Sequence, residues 1–205
     1  MVNPANPAIG ARQPTADRIV RAAVELFAER GFDATSVQQI VERAAVTKGA
    51  LYHYFTSKDD LLFAIYQSLI GVQNADLEDI VARGMAPAET VRAILVGVIV
   101  STAERGAEAA VFFRESPKLD AQHMAAFRAD RRRYHENFRQ VVEKAQTDGV
   151  FSARVPADVV VQIAMGVVNQ LPIWFRPDGP KTAERLGHEV ADFVLAALLP
   201  EEPRP

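Results

Sequence analysis

Cysteine is absent from this chain of 205 residues. That excludes a disulfide framework, a thiol nucleophile and a zinc site built on thiolates, and it fits a reducing compartment such as the cytoplasm. No apolar run approaches the roughly 20 residues that span a bilayer, so no membrane partner is expected. No alternation of apolar and polar residues is long enough for a strand. A glycine-rich phosphate loop, a G-x-S-x-G elbow, an H-E-x-x-H pair and paired E-x-x-H motifs are all missing. The four histidines, His53, His123, His135 and His188, stand apart in the sequence. Nothing here calls for a metal, a cofactor or an enzymatic role. Excess charge is lacking as well. The net charge is −3, and residues 1–64 hold seven Lys and Arg against seven Asp and Glu. Any contact with nucleic acid must therefore rest on where cations are placed, not on bulk charge.

What the chain does have is helical periodicity. Ile19, Ala22, Ala23, Leu26 and Phe27 form an i, i+3, i+4 stripe over residues 15–30, and Gly31 follows as a natural stop. Similar patterns predict helices after Thr35, over 47–55, 58–83, 88–105, 107–116, 120–148, 157–175 and 182–199. The expected architecture is all-α with about nine helices. Residues 1–14, MVNPANPAIGARQP, contain three prolines in polar filling and lack the charged-then-apolar order of a signal peptide. They read as a disordered arm.

Residues 35–63, TSVQQIVERAAVTKGALYHYFTSKDDLLF, are the most informative stretch. Thr35 and Gln38 read as a capping box ahead of Val37, Ile40, Val41 and Ala44. Thr47 and Ser57 are placed to cap the next two helices. At 100° per residue, Ala50, Leu51, Tyr54 and Phe55 share one side of the middle helix, and Lys48, Gly49, Tyr52 and His53 share the other. The second side is poor for packing and suited to a major groove, which admits a helix and is read through base edges. Lys58 is a cation at the positive end of a helix dipole. Either it is simply solvated, or a phosphate sits there with it.

The stretch ATSVQQIVERAAVTKGALYHYFTSKDDLLFAIY resembles the DNA-binding signature of the TetR family of transcriptional repressors. Ile40-Val41 replaces the family's Ile-Ala pair, and Ala45 stands where glycine is usual. The resemblance covers residues 15–66. It implies a three-helix helix-turn-helix head over 15–60, joined to a helical ligand-binding and dimerisation core over 61–200. It also implies a homodimer on a palindromic double-stranded DNA operator, released by a small-molecule effector. Thr35, Ser36, Thr47, Lys48, Gly49, Tyr52, His53 and Lys58 are the residues it brings to DNA. A helical acyl-carrier or lipid-binding protein without specific DNA binding is the competing reading for residues 66–199, and it leaves the Lys48–Lys58 face unexplained.

The core carries two further signals. Helix 120–148 has a stripe of Met124, Phe127, Tyr134, Phe138, Val141, Val142 and Ala145, interrupted by Arg131. A buried guanidinium is costly unless paired. Arg131 either meets a carboxylate such as Glu104, Glu108 or Glu115, or docks an anionic ligand among Phe112, Phe113, Arg114, Phe127, Tyr134, Phe138, Asn169 and Trp174. Helix 157–175 is apolar nearly all round, and helix 182–199 lines up Leu186, Val190, Val194 and Ala197, with Gly187 and Ala191 permitting close approach. With Val160 and Val167 these residues form a candidate self-association surface. The segment NQLPIWFRPDGPKTAERLGHEVADFVLAAL resembles the C-terminal end of TetR-family regulators of fatty-acid and sterol-ring degradation, which implies an acyl-CoA effector. Under that resemblance Arg114, Arg128, Arg131, Arg132 and Arg133 are phosphate partners for the CoA moiety.

Overall fold

The structure, a computed structural model, describes residues 14–199. The expected arm lies outside the described residues, save Pro14. Proline loses no bond at a first helical position, and Pro14 opens the first helix. Nine α-helices follow in order among the described residues: α1 Pro14–Arg30, α2 Val37–Ala44, α3 Lys48–Tyr54, α4 Lys58–Ala82, α5 Pro87–Glu104, α6 Gly106–Glu115, α7 Ala121–Thr147, α8 Ala157–Trp174 and α9 Ala183–Leu198. A 3-10 turn, Ser116–Lys118, joins α6 to the loop before α7, and there is no strand among the described residues. The fold is all-α, as the periodicity predicts.

Local chemistry sets the boundaries. The side chains of Ser36, Thr47, Ser57, Asp120 and Thr182 each accept a hydrogen bond from a backbone N–H in the first turn of α2, α3, α4, α7 and α9. The capping box of α2 pairs Ser36 with Gln39, one residue later than Thr35 and Gln38. Thr35 is unavailable because it is buried, with its hydroxyl donating to Gly31 O at 2.8 Å. Gly31 ends α1 at φ 82, in the left-handed region open to glycine. Ala45 ends α2 at φ 51, which costs a residue with a Cβ roughly 1–2 kcal/mol. Arg18 offsets this by donating to Ala44 O at 2.6 Å and Ala45 O at 2.7 Å.

Helices α1 to α3 close around Ile19, Phe27, Ile40 and Leu51, none of which reaches the surface. Beyond them α5 is the buried axis of the larger part. It packs most extensively on α9 and also meets α4, α7 and α8. Its Val91, Ile94, Leu95, Val98 and Ile99 are all buried. Gly187 of α9 lies against this helix, where an added Cβ would stand 2.9 Å from Val96 Cα. The close approach that Gly187 and Ala191 permit is thus made within the chain.

Val160, Leu186 and Val194 are buried in that same core and are withdrawn from the candidate self-association surface. Val167, Val190 and Ala197 are only partly covered. The apolar groups that α8 and α9 leave in solvent are others: Val159, Ile163 at 53 % exposure, Ile173, and Phe193 at 72 %. The periodicity locates two apolar helices correctly, but it cannot say which of their faces the chain itself covers.

Gly187→Ala forces α9 away from the α5 backbone, and overpacking of this kind costs about 1–3 kcal/mol. A lower urea midpoint with unchanged helicity is the expected result. A midpoint equal to wild type would show that α9 has room to shift.

Candidate nucleic-acid interface and ligand pocket

Helix α3 turns Leu51 fully inward and leaves Thr47, Lys48, Gly49, Tyr52 and His53 exposed. Ser36 is exposed at the start of α2. Lys48 and Tyr52 have no hydrogen-bond or ion-pair partner among the described residues. At Gly49 an added Cβ would meet only Thr47 Oγ1, at 3.9 Å. The interior of the fold therefore does not require glycine there.

Two residues assigned to this face belong elsewhere. Thr35 is buried, as described. Lys58 turns back beneath the face: its Nζ donates to Phe32 O at 2.6 Å and Thr35 O at 2.8 Å, and lies 4.3 Å from the centre of the Phe32 ring. A cation is unfavourable in the first turn of a helix. Here carbonyls left over by the α1–α2 loop compensate it, and the ring face adds a cation–π contact. Arg43 is likewise engaged, with Glu25 at 3.0 Å and Glu29 at 3.2 Å. Among the described head cations, Arg21, Arg30 and Lys48 are exposed without a hydrogen-bond or ion-pair partner, and Lys48 is the one on the α3 face.

A partly open cavity lies between α4, α6, α7 and α8. Phe112, Phe113, Phe127, Arg131, Tyr134 and Asn169 line it as expected, together with Tyr66, Leu69, Ile70, Gln73, Thr102, His135, Met165 and Val168. No α4 residue was expected there, since an apolar pair such as Leu69 and Ile70 fits an ordinary core equally well. The available signal was Tyr66 and Gln73, spaced seven apart on that same face. Three expected lining residues point elsewhere. Arg114 donates to Phe27 O and to Glu115 at 2.8 Å. Phe138 is fully buried outside the cavity wall, and Trp174 is half exposed at the end of α8, edge-on to Phe175.

The cavity is aromatic at one end and polar at the other. Tyr66 stacks on Phe112 with ring centres 4.5 Å apart and meets Phe127 edge-on at 4.8 Å. The Arg131 guanidinium lies 5.6 Å from the Phe127 ring and forms no ion pair among the described residues. Glu115 is taken by Arg114 and Lys118, and neither Glu104 nor Glu108 pairs with Arg131. The structural-pair reading of Arg131 is therefore overturned. Burial and the Arg131 charge push the pKa of His135 down, so its ring is neutral near pH 7. Burial holds the phenols of Tyr66 and Tyr134 far above their ordinary range. Arg131 is the fixed positive charge of the lining.

Two contacts tie this cavity to the head. At the end of α6, Arg114 reaches Phe27 O, and Lys118 bridges Glu115 at 2.9 Å and Asp33 at 2.5 Å. Glu115 is buried, which raises a carboxyl pKa, but hydrogen bonds from Lys118 and Arg114 outweigh that and hold it below the usual range. On the other side, His123 of α7 lies between Asp60 of α4 at 3.1 Å and Asp120 at 2.9 Å, and Tyr66 Oη donates to Phe127 O at 3.3 Å.

Comparison with known proteins agrees with this geometry. Residues 19–65 match the family described as bacterial regulatory proteins, tetR family, and residues 84–198 match the tetracyclin repressor-like C-terminal domain. The HTH-type transcriptional repressor KstR2 of Mycobacterium tuberculosis (strain H37Rv) is 25 % identical over 184 residues, covering 89 % of this chain and 92 % of that protein. Among solved structures, the TetR family regulator PfmR from Thermus thermophilus is similar, with TM-score 0.81 and 29 % identity over 88 % of this chain and 98 % of that one. AibR, solved with isovaleryl coenzyme A and operator DNA, gives TM-score 0.73 and 27 % identity, covering 92 % and 100 %.

Lys58→Met removes two charge-assisted hydrogen bonds and should lower stability by about 2 kcal/mol. Lys48→Met, on the exposed face, should change it by less than about 0.5 kcal/mol. Urea unfolding of both variants checks the pair, and equal effects would mean that Lys58 does not hold the α1–α2 loop.

Proposed function

The chain belongs to the TetR family of DNA-binding transcriptional regulators, and on that premise we propose that it is a homodimeric, cytoplasmic repressor released from a palindromic operator by an acyl-CoA thioester. The observation that carries the effector reading is the unpaired Arg131 guanidinium inside an aromatic cavity. A thioester has an apolar acyl group for the rings and phosphates for cations, and exposed Arg128, Arg132 and Arg133 stand on the same helix. The similarity to AibR, whose structure holds an acyl-CoA together with DNA, supports the same class. The match of residues 19–65 sets aside a lipid carrier without DNA binding.

On this reading the head, residues 15–60, docks α3 in a major groove through Thr47, Lys48, Gly49, Tyr52 and His53, with Ser36 at the start of α2. Residues 61–200 bind the effector and the second subunit. Phe112 and Phe113 line the cavity, and Arg114 and Glu115 follow them directly in the same helix. An acyl group pressing on those rings displaces the residues that grip the end of α1. Release requires that the ligand favour the displaced state, since equal affinity for both states shifts nothing. Two heads that no longer match the roughly 34–36 Å groove repeat cannot dock together.

The test begins with an operator selected from a randomised duplex pool. Short, medium, long and ring-bearing acyl-CoAs are titrated against the protein–operator complex, with free CoA and free acids as controls. One thioester class should release the DNA at sub-millimolar concentration. Arg131→Ala should bind the operator as wild type does and need at least about tenfold more ligand. Failure of every thioester to release DNA would end the acyl-CoA reading and leave the family assignment standing.

The dimer surface is assigned to the uncovered groups of α8 and α9. Ile163→Glu and Phe193→Glu place charges on exposed positions, so each variant should stay folded and sediment as a monomer. Unchanged dimers in both would remove α8 and α9 from the interface.

A further inference from the structure

Gln73 and Tyr134 carry polar atoms in the cavity wall that have no protein partner among the described residues, as do Arg131, His135 and Asn169. Gln73 and Tyr134 are 8 % and 2 % exposed. Gln73 Nε2 donates to Thr102 Oγ1 at 3.0 Å, while the Thr102 hydroxyl donates to Val98 O at 2.7 Å. With its proton committed, Thr102 can only accept, which orients the Gln73 amide with nitrogen toward Thr102 and Oε1 away. No described donor reaches Gln73 Oε1, and no described group bonds to the Tyr134 hydroxyl. Burial, with the charge of Asp76 nearby, keeps that phenol protonated. Both residues line the main cavity and also a second, much smaller one, and they are the residues these two cavities share.

Both residues line the cavity, where a small number of placed polar groups sets which occupant is preferred. We infer that Gln73 and Tyr134 form a hydroxyl-recognition subsite, and that the effector's acyl group carries an alcohol. An alcohol donates to Gln73 Oε1 and accepts from the Tyr134 O–H, which meets both groups with one atom. A ketone accepts from Tyr134 and leaves Gln73 Oε1 unmet. A methylene leaves both unmet. Arg131 precedes Tyr134 by three residues, about 4.5 Å of rise along α7, so the cationic point and the hydroxyl subsite lie within one compact ligand's reach. Leu69, Ile70, Met165 and Val168 are the aliphatic part of the remaining wall, beside His135 and Asn169. The ligand is therefore an acyl group that carries an alcohol, a narrower class than acyl-CoA and one that rests on the preceding reading.

The experiment is calorimetric titration of the full chain with matched thioesters: cyclohexanecarboxyl-CoA, its 4-hydroxy and 4-oxo forms, and straight-chain acyl-CoAs of graded length with and without a terminal hydroxyl. At least one alcohol should bind about tenfold or more tightly than its methylene counterpart, with the ketone in between. Gln73→Leu and Tyr134→Phe should each strongly shrink the ratio of alcohol to methylene affinity. Thr102 retains its bond to Val98 O in the Gln73→Leu variant, so folding, checked by circular dichroism, should survive. A hydroxyl preference that persists in both variants, or no preference among thioesters that do bind, overturns the subsite. If no thioester binds, the acyl-CoA reading fails separately. The subsite is then judged by ligand-observed NMR with millimolar cyclohexanol against methylcyclohexane, and binding that is equal, or absent for the alcohol, overturns it.

Discussion

A buried carboxylate holds the two parts of this protein in register. Glu115 lies at the end of α6 with 3 % exposure, and a carboxylate in that position is tolerable only while paired. Its partners are Arg114 and Lys118, and both also reach the head: Arg114 at Phe27 O, and Lys118 at Asp33. Gly31, where α1 ends, is close enough that an added Cβ would stand 3.6 Å from Glu115 Oε1. The head cannot slide against α6 without disturbing a set of charges that the interior cannot leave unmet. A contact of that kind resists gradual sliding.

The same principle governs the other end of the head. Lys58 is the first residue of α4, the helix that continues along the cavity through Tyr66 and Gln73. Its ammonium is satisfied by the carbonyls of Phe32 and Thr35, just before α2 begins. The start of α4 and the entry to α2 therefore move as one piece. A few residues along, His123 attaches the start of α7 to Asp60. Both walls of the cavity, α4 and α7, are thus anchored near the α3 face, and α6 provides the third attachment.

Much of this was legible in the residues. Caps at Thr47 and Ser57 and the stop at Gly31 are local devices, satisfied within a few residues of where they occur. The outward set on α3 was equally plain, because a seven-residue helix with Leu51 inside leaves little choice about Lys48 and Tyr52. Lys58 was misread for a reason that is physical. Its position in the first turn calls for negative partners, and a phosphate and a pair of loop carbonyls are indistinguishable until the loop is placed. Thr35 failed in the same way, since its hydroxyl meets Gly31 O rather than its own helix.

Periodicity by itself determined the run of helices, the exposed face of α3 and the cation inside an aromatic stripe, because each depends on neighbours within about two turns. Tertiary structure decided what those features face. It set Gly187 against Val96 rather than against a second subunit, withdrew Val160, Leu186 and Val194 into the core, and left Ile163 and Phe193 outside. It denied Arg131 a carboxylate and set Gln73 beside Tyr134 in one wall. Helical periodicity states that a face is apolar or a group charged. Only the packing of helices distant in sequence states whether that face is covered and that charge is met.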